Sequence, residues 1–147
     1  MLEKMKTLLM ENSLCVLATC SDNKPHCSLM TYVTDEQAEA IHIVTLNTSR
    51  KYLNIKQNPL ISLLVDSRLN DGSEAGGIKA LTVSGISSIV RDEMQKAAIL
   101  TRIGQAHPHL KGLLLHPQVE VIAIKVESFL LLEGPDQANF VELTNLE

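Results

Sequence analysis

The chain has 147 residues, of which 45% are hydrophobic and 20% charged, a composition typical of a globular protein with a sizeable core. We expect one domain spanning residues 1–147. The net charge of −4 argues against a nucleic-acid partner, and the chain has only two Tyr, two Phe and no Trp for stacking on bases. A small anionic ligand is not excluded, because it needs only a local cluster of positive charge.

The cysteines and the N-terminal sequence predict the cellular compartment of the protein. Cys15, Cys20 and Cys27 are odd in number and form no Cys-x-x-Cys pair, which is typical of free thiols in a reducing compartment. The N-terminus lacks the continuous apolar segment of a signal peptide, and no run reaches the roughly 20 apolar residues that cross a bilayer. We therefore expect a cytoplasmic protein with no membrane partner.

The first third of the chain predicts a helix followed by three strands. Residues 2–12 carry Leu and Met at helical spacing, which favours a short amphipathic helix. Strands at 13–20 and 26–34 flank the turn-forming stretch SDNKP, so an antiparallel hairpin is expected. A third strand is predicted at 41–46, with the sequence IHIVTL.

A second helix is predicted to begin near Ser49, with Thr48 or Asn47 as its N-cap. Asn58-Pro59 ends it, because the residue before a proline is disfavoured in helical conformation.

Three more segments complete the middle of the chain. Residues 60–67 predict a strand buried on both faces, and residues 68–78 contain three glycines, which favours a mobile loop. Residues 79–90 predict a long strand in which Gly85 marks a bulge or a close backbone approach.

The last third contains a helix and a long strand. Asp92 and Gln95 have capping-box spacing, which predicts a helix through about Ile103 that Gly104 closes. The final strand is predicted at 119–132.

These elements predict a mainly β protein with short α-helices, built as a closed or partly closed, six-stranded antiparallel β-barrel. The tail, 134–147, gives no strong signal. Residues 60–67 and 119–132 are apolar on both faces, and one small barrel has only one interior to fill. We therefore expect a homodimer that covers the second face.

Ser49, Arg50 and Lys51 lie at the joint between a strand and a helix. A helix N-terminus carries unpaired N–H groups and the positive end of the dipole, so it suits a phosphate. Cations in this first turn oppose the dipole by roughly 0.3–1 kcal/mol each. Two interpretations follow. Either Arg50 and Lys51 are solvated surface charges, or they hold an anion that offsets this repulsion.

The segment IHIVTLNTSRKYLNIKQNPLISLLV resembles pyridoxamine 5′-phosphate oxidase and its relatives, the FMN-binding split barrels. These proteins share a strand ending in Thr, then Ser-Arg-Lys opening a helix, then Asn-Pro and a buried strand. The resemblance covers roughly residues 13–91 and implies a six-stranded split barrel that binds FMN at the interface of a homodimer.

The resemblance also implies roles for particular residues. Ser49, Arg50 and Lys51 would contact the FMN phosphate, and Thr45 would lie beside the ribityl chain or the ring. Lys79 would reach the flavin held mainly by the other subunit. The strand alongside the flavin would contribute five further residues, His26, Ser28, Leu29, Met30 and Thr31.

Three features differ from the oxidase. His26 stands where the oxidase has an Arg that holds the phosphate, and Ala80 stands where it has a Gln. The oxidase's C-terminal Arg-Leu-x-Pro segment is absent. The resemblance therefore implies FMN binding and an oxidoreductase acting on a small molecule more than it implies oxidation of pyridoxamine phosphate. The alternatives are a split barrel that uses a deazaflavin or haem, and a non-catalytic flavin-binding or flavin-sensing barrel.

Two further candidates have simpler interpretations. His107, His109 and His116 could bind a metal, but no carboxylate or thiol lies close in sequence, so a loop with surface histidines is favoured and no metal is expected. Cys27 could be a redox thiol, but nothing nearby in sequence lowers its pKa, so a small buried residue is favoured. We assign no catalytic residue, since in flavin chemistry the cofactor carries the reaction.

Overall fold

The computed structural model describes residues 1–67 and 77–143, and the segment predicted as a mobile loop lies largely outside these ranges. The helices are α1 (Leu2–Glu11), α2 (Arg50–Gln57), α3 (Glu93–Ala106) and α4 (Lys111–Leu114), with a 3₁₀ turn at Pro108–Leu110. The strands are β1 (Leu14–Ser21), β2 (Lys24–Thr31), β3 (Val33–Thr34), β4 (Ala40–Leu46), β5 (Leu60–Asp66), β6 (Lys79–Ile89), β7 (Val119–Glu133) and β8 (Ala138–Glu142).

These strands form one curled antiparallel sheet in the order β2-β1-β5-β6-β7-β4-β3, with β8 paired to β7. The arrangement confirms the predicted mainly β, split-barrel fold, including the hairpin of β1 and β2. No helix in the described ranges combines the length and apolar character that crossing a bilayer requires.

In the described part of the chain the sheet contains eight strands rather than the predicted six. The predicted second strand divides at Tyr32, whose backbone N–H donates to Ser13 O and whose hydroxyl donates to Leu9 O at 2.6 Å. Burial raises the pKa of the Tyr32 hydroxyl, which therefore keeps the proton it donates. The eighth strand, β8, forms in the tail after Gly134 turns the chain with φ of +79°.

The core fills the inner face of the sheet, where α1 packs. Met5 and Leu9 of α1 are fully buried, as are Leu81 of β6 and Phe129 of β7. Burying a large apolar side chain contributes about 1.5–3 kcal/mol, so this cluster accounts for much of the driving force for folding.

The prediction that residues 60–67 are buried on both faces is wrong for the single chain. Ile61, Leu63 and Val65 point into the core, whereas Leu60 and Leu64 are 59% and 42% exposed. Successive side chains of a strand point to opposite faces, and none of the helices described here covers the outer face at β5.

Gly85 lies both at a bulge and at a close approach of two backbones, the two features predicted for it. The pairing of β6 with β7 shifts register between Ser84 and Gly85, as in a β-bulge. A Cβ at Gly85 would lie 2.6 Å from Lys125 O, so the two backbones approach too closely for any side chain.

Asp92 caps α3 as predicted, since its carboxylate accepts hydrogen bonds from the N–H groups of Met94 and Gln95. The predicted end at Ile103 is wrong, because α3 continues through Gly104 to Ala106. A Cβ at Gly104 would lie 3.2 Å from Leu114 Cδ1. Gly104 therefore lets α4 pack closely instead of ending the helix.

Candidate cofactor-binding site

Ser49 begins α2 as its N-cap, so the prediction of Thr48 or Asn47 is wrong by one or two residues. Ser49 has extended dihedrals, φ −74° and ψ 154°, and its Oγ accepts from Tyr52 N at 3.2 Å. Thr45, at the end of β4, donates from Oγ1 to the same Ser49 Oγ at 2.8 Å. The Ser49 hydroxyl therefore accepts two hydrogen bonds and keeps its own proton to donate to a ligand.

The first turn of α2 carries two cations and no acidic residue. Arg50 is exposed and Lys51 is half-buried. No ion pair between described residues includes either side chain. The positive end of the helix dipole and both charges are thus uncompensated within this part of the protein.

A cavity of about 380 Å³, which we call the Lys51 cavity, opens between β2, the end of β4 and the start of α2. Its size falls within the usual range for small-molecule sites. Hydroxyls and one cation line it near α2, and apolar side chains close the opposite side. The lining residues are Leu29, Met30, Thr31, Val44, Thr45, Leu46, Thr48, Ser49, Lys51, Leu110 and Leu113.

A second cavity of about 690 Å³, which we call the Arg50 cavity, lies between the β1–β2 hairpin and α2. Thr48 lines this cavity as well as the Lys51 cavity. The lining residues are Ser21, Asp22, Lys24, Pro25, His26, Thr48, Arg50, Leu53, Asn54 and Gln57.

The predicted site residues divide between these two cavities. Consecutive helical residues are rotated by about 100°, so Arg50 and Lys51 face different cavities although they are adjacent in sequence. Strand β2 also runs past both, with His26 at the Arg50 cavity and Met30 at the Lys51 cavity. Six predicted residues meet in the Lys51 cavity, namely Leu29, Met30, Thr31, Thr45, Ser49 and Lys51.

Two predicted residues line neither cavity. Ser28 lies on β2 between them, opposite Leu17 of β1. Lys79 starts β6, three strands from β2 in the sheet, and pairs in register with Glu133, which also binds Lys4. Within one chain Lys79 is therefore not part of the Lys51 cavity.

Several lining residues were missed by the sequence reasoning. Leu53, Asn54 and Gln57 were missed, although they follow the predicted Arg50 at the i+3, i+4 and i+7 positions of one helix face, a signal that could have found them. Leu110 and Leu113 reach the Lys51 cavity from a segment more than 50 residues further along the chain. Nothing local in the sequence indicates that approach.

A buried polar pair lies outside both cavities. Arg102 of α3 donates from Nη2 to Nδ1 of His42 on β4 at 2.7 Å, and the Arg102 Nε has no hydrogen-bond partner among the described residues. Burial lowers the pKa of His42, and the nearby Arg102 charge lowers it further, against an opposing effect of Asp35. His42 is therefore held as a neutral acceptor that ties α3 to the sheet.

The histidines of residues 107–116 do not assemble a metal site. His107 Nε2 lies 3.1 Å from Tyr32 O, and its ring meets that of His109 edge-to-face. His116 Nδ1 accepts from Gln118 N. Among the described residues, no group of three or more His, Cys, Asp or Glu side chains could hold a metal ion.

The three cysteines are free thiols with different exposure. Burial raises the pKa of the Cys15 thiol to about 12, which keeps it protonated and unreactive. The interpretation of Cys27 as a small buried residue is wrong, because Cys27 is exposed on the outer face of β2. The period of two along β2 turns it away from His26 and Ser28.

Comparison with known proteins decides the family. The family model described as pyridoxamine 5′-phosphate oxidase matches residues 1–133. The chain belongs to the pyridoxamine 5′-phosphate oxidase family. A pyridoxamine 5′-phosphate oxidase homologue from Schizosaccharomyces pombe is 37% identical over 70 residues, with 42% of this chain and 37% of the homologue covered. The match thus spans little more than a third of that curated relative.

Solved structures with this family's fold bind different cofactors. A haem-binding protein from Mycobacterium smegmatis superposes with a TM-score of 0.81 at 16% identity, covering 95% of this chain and 57% of that one. An FAD-binding protein from Mesorhizobium loti superposes with a TM-score of 0.71 at 16% identity, covering 97% and 95%. At these identities the likeness shows the shared fold alone.

Proposed function

We propose that this chain binds FMN in the Lys51 cavity and acts, as a homodimer, as a flavin-dependent oxidoreductase on a small molecule. The observation that carries the proposal is the uncompensated cationic start of α2 beside a cavity of suitable size. We further propose that residues 1–147 form one domain in the cytoplasm, which the three free thiols support.

The phosphate is proposed to bind at the start of α2. The Ser49 hydroxyl and the unpaired N–H groups of the first turn donate to it, and Lys51 and Arg50 supply charge from the two cavities. An anion here reverses the unfavourable interaction of both cations with the helix dipole.

The ring and ribityl chain are proposed to lie along β2. Leu29, Met30 and Thr31 offer backbone groups to the polar edge of the ring, and Ser28 continues this wall toward His26. Thr45 lies beside the ribityl chain, fixed by its hydrogen bond to Ser49. The apolar surface at Leu110 and Leu113 excludes water from the other side. The residues of this cavity thus fit the charge and the mixed polarity of FMN.

The outer face of the sheet supports a homodimer. Its strand pairings align a row of side chains across the sheet, five of them apolar, and Leu29 and Phe140 at the two ends are 73% and 59% exposed. We call this the outer row, and it consists of Leu29, Val16, Leu64, Thr82, Leu130 and Phe140. Such continuous apolar surface is typical of an interface, and a two-fold copy covers it with the same surface.

The outer row also reaches the cofactor site, because Leu29 lines the Lys51 cavity as well. A second copy seated on the row therefore borders the flavin and brings a partner's Lys79 as a further candidate contact.

Sedimentation equilibrium at low micromolar protein tests the dimer. We expect Leu64→Lys to yield monomers that bind FMN weakly. Met94→Lys, a matched change at an exposed side chain of α3, should leave the dimer intact. A stable wild-type monomer that binds FMN tightly would contradict both the dimer and the shared site.

Bound flavin supplies hydride or electron transfer, and this chain's residues orient it and control access to it. An absorbance spectrum of the purified protein tests the cofactor directly. A flavin spectrum is expected, and its bleaching by NAD(P)H followed by turnover with an acceptor would support an oxidoreductase. Flavin that is never reduced and reoxidised would favour the non-catalytic alternative.

Haem and deazaflavin are the alternative cofactors, and the fold shared with a haem-binding protein favours testing haem. Of the described residues lining the two cavities, His26 and Met30 have side chains that commonly ligate haem iron. A haem spectrum that is lost in His26→Ala or Met30→Ala would replace the flavin proposal.

A further inference from the structure

We propose that the Arg50 cavity binds the second phosphate and the attached nucleoside of FAD, so that a flavin dinucleotide occupies both cavities. This inference rests on the flavin site proposed above and extends it. In that proposal the mononucleotide occupies the Lys51 cavity and the start of α2, and it gives no role to the larger Arg50 cavity, about 690 Å³.

The position of the Arg50 cavity suits the part of FAD that follows the first phosphate. Thr48 lines both cavities and directly precedes the Ser49 cap. A phosphate at the start of α2 therefore lies beside Thr48, the residue that borders both cavities. In this proposal, the group attached to that phosphate on the side away from the flavin extends past Thr48 into the Arg50 cavity.

The charge of the Arg50 cavity suits a second phosphate. Lys24 and Arg50 line it, and His26 adds a ring that can donate or accept a hydrogen bond. Asp22 is the acidic residue among the lining side chains. No ion pair between described residues includes Lys24 or Arg50, so Lys24 adds a positive charge beyond those already proposed to bind the first phosphate.

The walls of the Arg50 cavity suit a nucleoside. Leu53 is 52% exposed and, with Pro25, offers apolar surface to a base. The Gln57 Oε1 accepts from the Ser21 hydroxyl, which leaves the Gln57 amide N–H groups as donors. Asn54 donates from Nδ2 to Thr19 Oγ1 at 3.1 Å, which leaves its Oδ1 as an acceptor.

Titration of the purified full chain with FMN and with FAD, monitored by calorimetry, tests the inference. In the wild type, FAD should bind about tenfold more tightly than FMN, the gain expected from one added charge-assisted contact. Lys24→Ala should remove this advantage and leave FMN affinity unchanged, because Lys24 lies outside the Lys51 cavity. Lys56→Ala, a matched change on α2 outside both cavities, should alter neither affinity.

Two further measurements test the nucleoside separately from the phosphate. Leu53→Asn, an uncharged change at a position that is 52% exposed, should weaken FAD and not FMN. AMP should compete with FAD and not with FMN, and AMP that displaces FMN would overturn the assignment of the nucleoside to the Arg50 cavity.

The titrations also separate this inference from the proposed function. FMN binding that depends on Lys51, with equal affinity for FAD, would overturn the inference alone. Lys24→Ala weakening both flavins alike would overturn it too, since the two cavities would then act as one phosphate site. Failure to bind either flavin would overturn both proposals.

Discussion

The N-termini of α2 and α3 carry charges of opposite sign. Asp92 caps α3 with its carboxylate and Glu93 follows in the first turn, so two negative charges face the positive end of the dipole. Neutral Ser49 caps α2, and Arg50 and Lys51 follow with no acidic residue in that turn. The arrangement at α3 stabilises a helix by itself, whereas the one at α2 opposes the dipole by roughly 0.3–1 kcal/mol per cation.

The surroundings of the two helix N-termini also differ. The start of α3 faces solvent, with Met94 85% exposed, whereas the start of α2 lies between two cavities. The charges at the start of α3 therefore stabilise that helix, whereas those at the start of α2 support the anion site proposed above. This comparison gives the Lys51 cavity its proposed ligand.

The largest expected effect is on flavin affinity. Lys51→Ala should weaken FMN binding at least tenfold, because a charge-assisted hydrogen bond contributes roughly 1.5–3 kcal/mol. Arg50→Ala should weaken it as well. Fluorescence titration of the flavin measures both.

Arg91→Ala is the matched control, since Arg91 is an exposed cation just before the cap of α3. It should leave FMN affinity unchanged. If Arg50→Ala and Lys51→Ala behaved like this control, the two cations would be solvated surface charges.

The sequence predicts the fold well where the pattern is local. The six predicted strands are present. Gly85 lies at a bulge, which its position inside a strand-like sequence predicted. Strand β8 was missed because its five residues form a strand only by pairing with β7. The end of α3 was misplaced because Gly104 accommodates Leu114, a contact that no local pattern contains.

The candidate site was predicted in part for a similar reason. The motif identified Thr45, Ser49 and Lys51 together, and the structure brings them into one cavity. It also grouped Arg50 with Lys51, although the helical rotation turns them toward different cavities. The dimer was predicted from the apolar faces of residues 60–67 and 119–132, and it stays a prediction; Leu60 and Leu64 on the first of these segments are exposed in the single chain.

The second prediction concerns the two caps. Asp92→Ala should lower the free energy of unfolding by about 1 kcal/mol, the usual effect of losing a side-chain cap, without changing FMN affinity. Ser49→Ala should lower the free energy of unfolding similarly and also weaken FMN. Urea denaturation combined with flavin titration measures both, and unchanged FMN affinity in Ser49→Ala would remove its hydroxyl from the phosphate site.

In the third prediction, removing a charge changes the free energy of unfolding in opposite directions at the two helices. In flavin-free protein, Arg50→Gln should raise the free energy of unfolding by about 0.3–1 kcal/mol, and Glu93→Gln should lower it by a similar amount. Both effects should shrink in high salt. A loss of stability in flavin-free Arg50→Gln would mean that Arg50 has a structural partner.

The smallest effect is expected at the contact between Arg102 of α3 and His42 of β4. The pKa of His42 is lowered below its ordinary value of 6.5 in the folded protein, so the unfolded state binds the proton more readily. The free energy of unfolding should therefore fall as pH drops below about 6.5. His42→Gln should flatten this dependence and the exposed His109→Gln should not, and equal profiles for both variants would contradict the assignment.

The comparison of FMN with riboflavin tests the central claim, a phosphate at the start of α2, most directly. The two ligands differ only in the phosphate, so calorimetric titration of wild-type protein isolates its contribution. Loss of at least one charge-assisted contact predicts at least tenfold weaker binding of riboflavin. In Lys51→Ala this preference for FMN should shrink. Equal affinities for FMN and riboflavin in the wild-type protein would contradict the account.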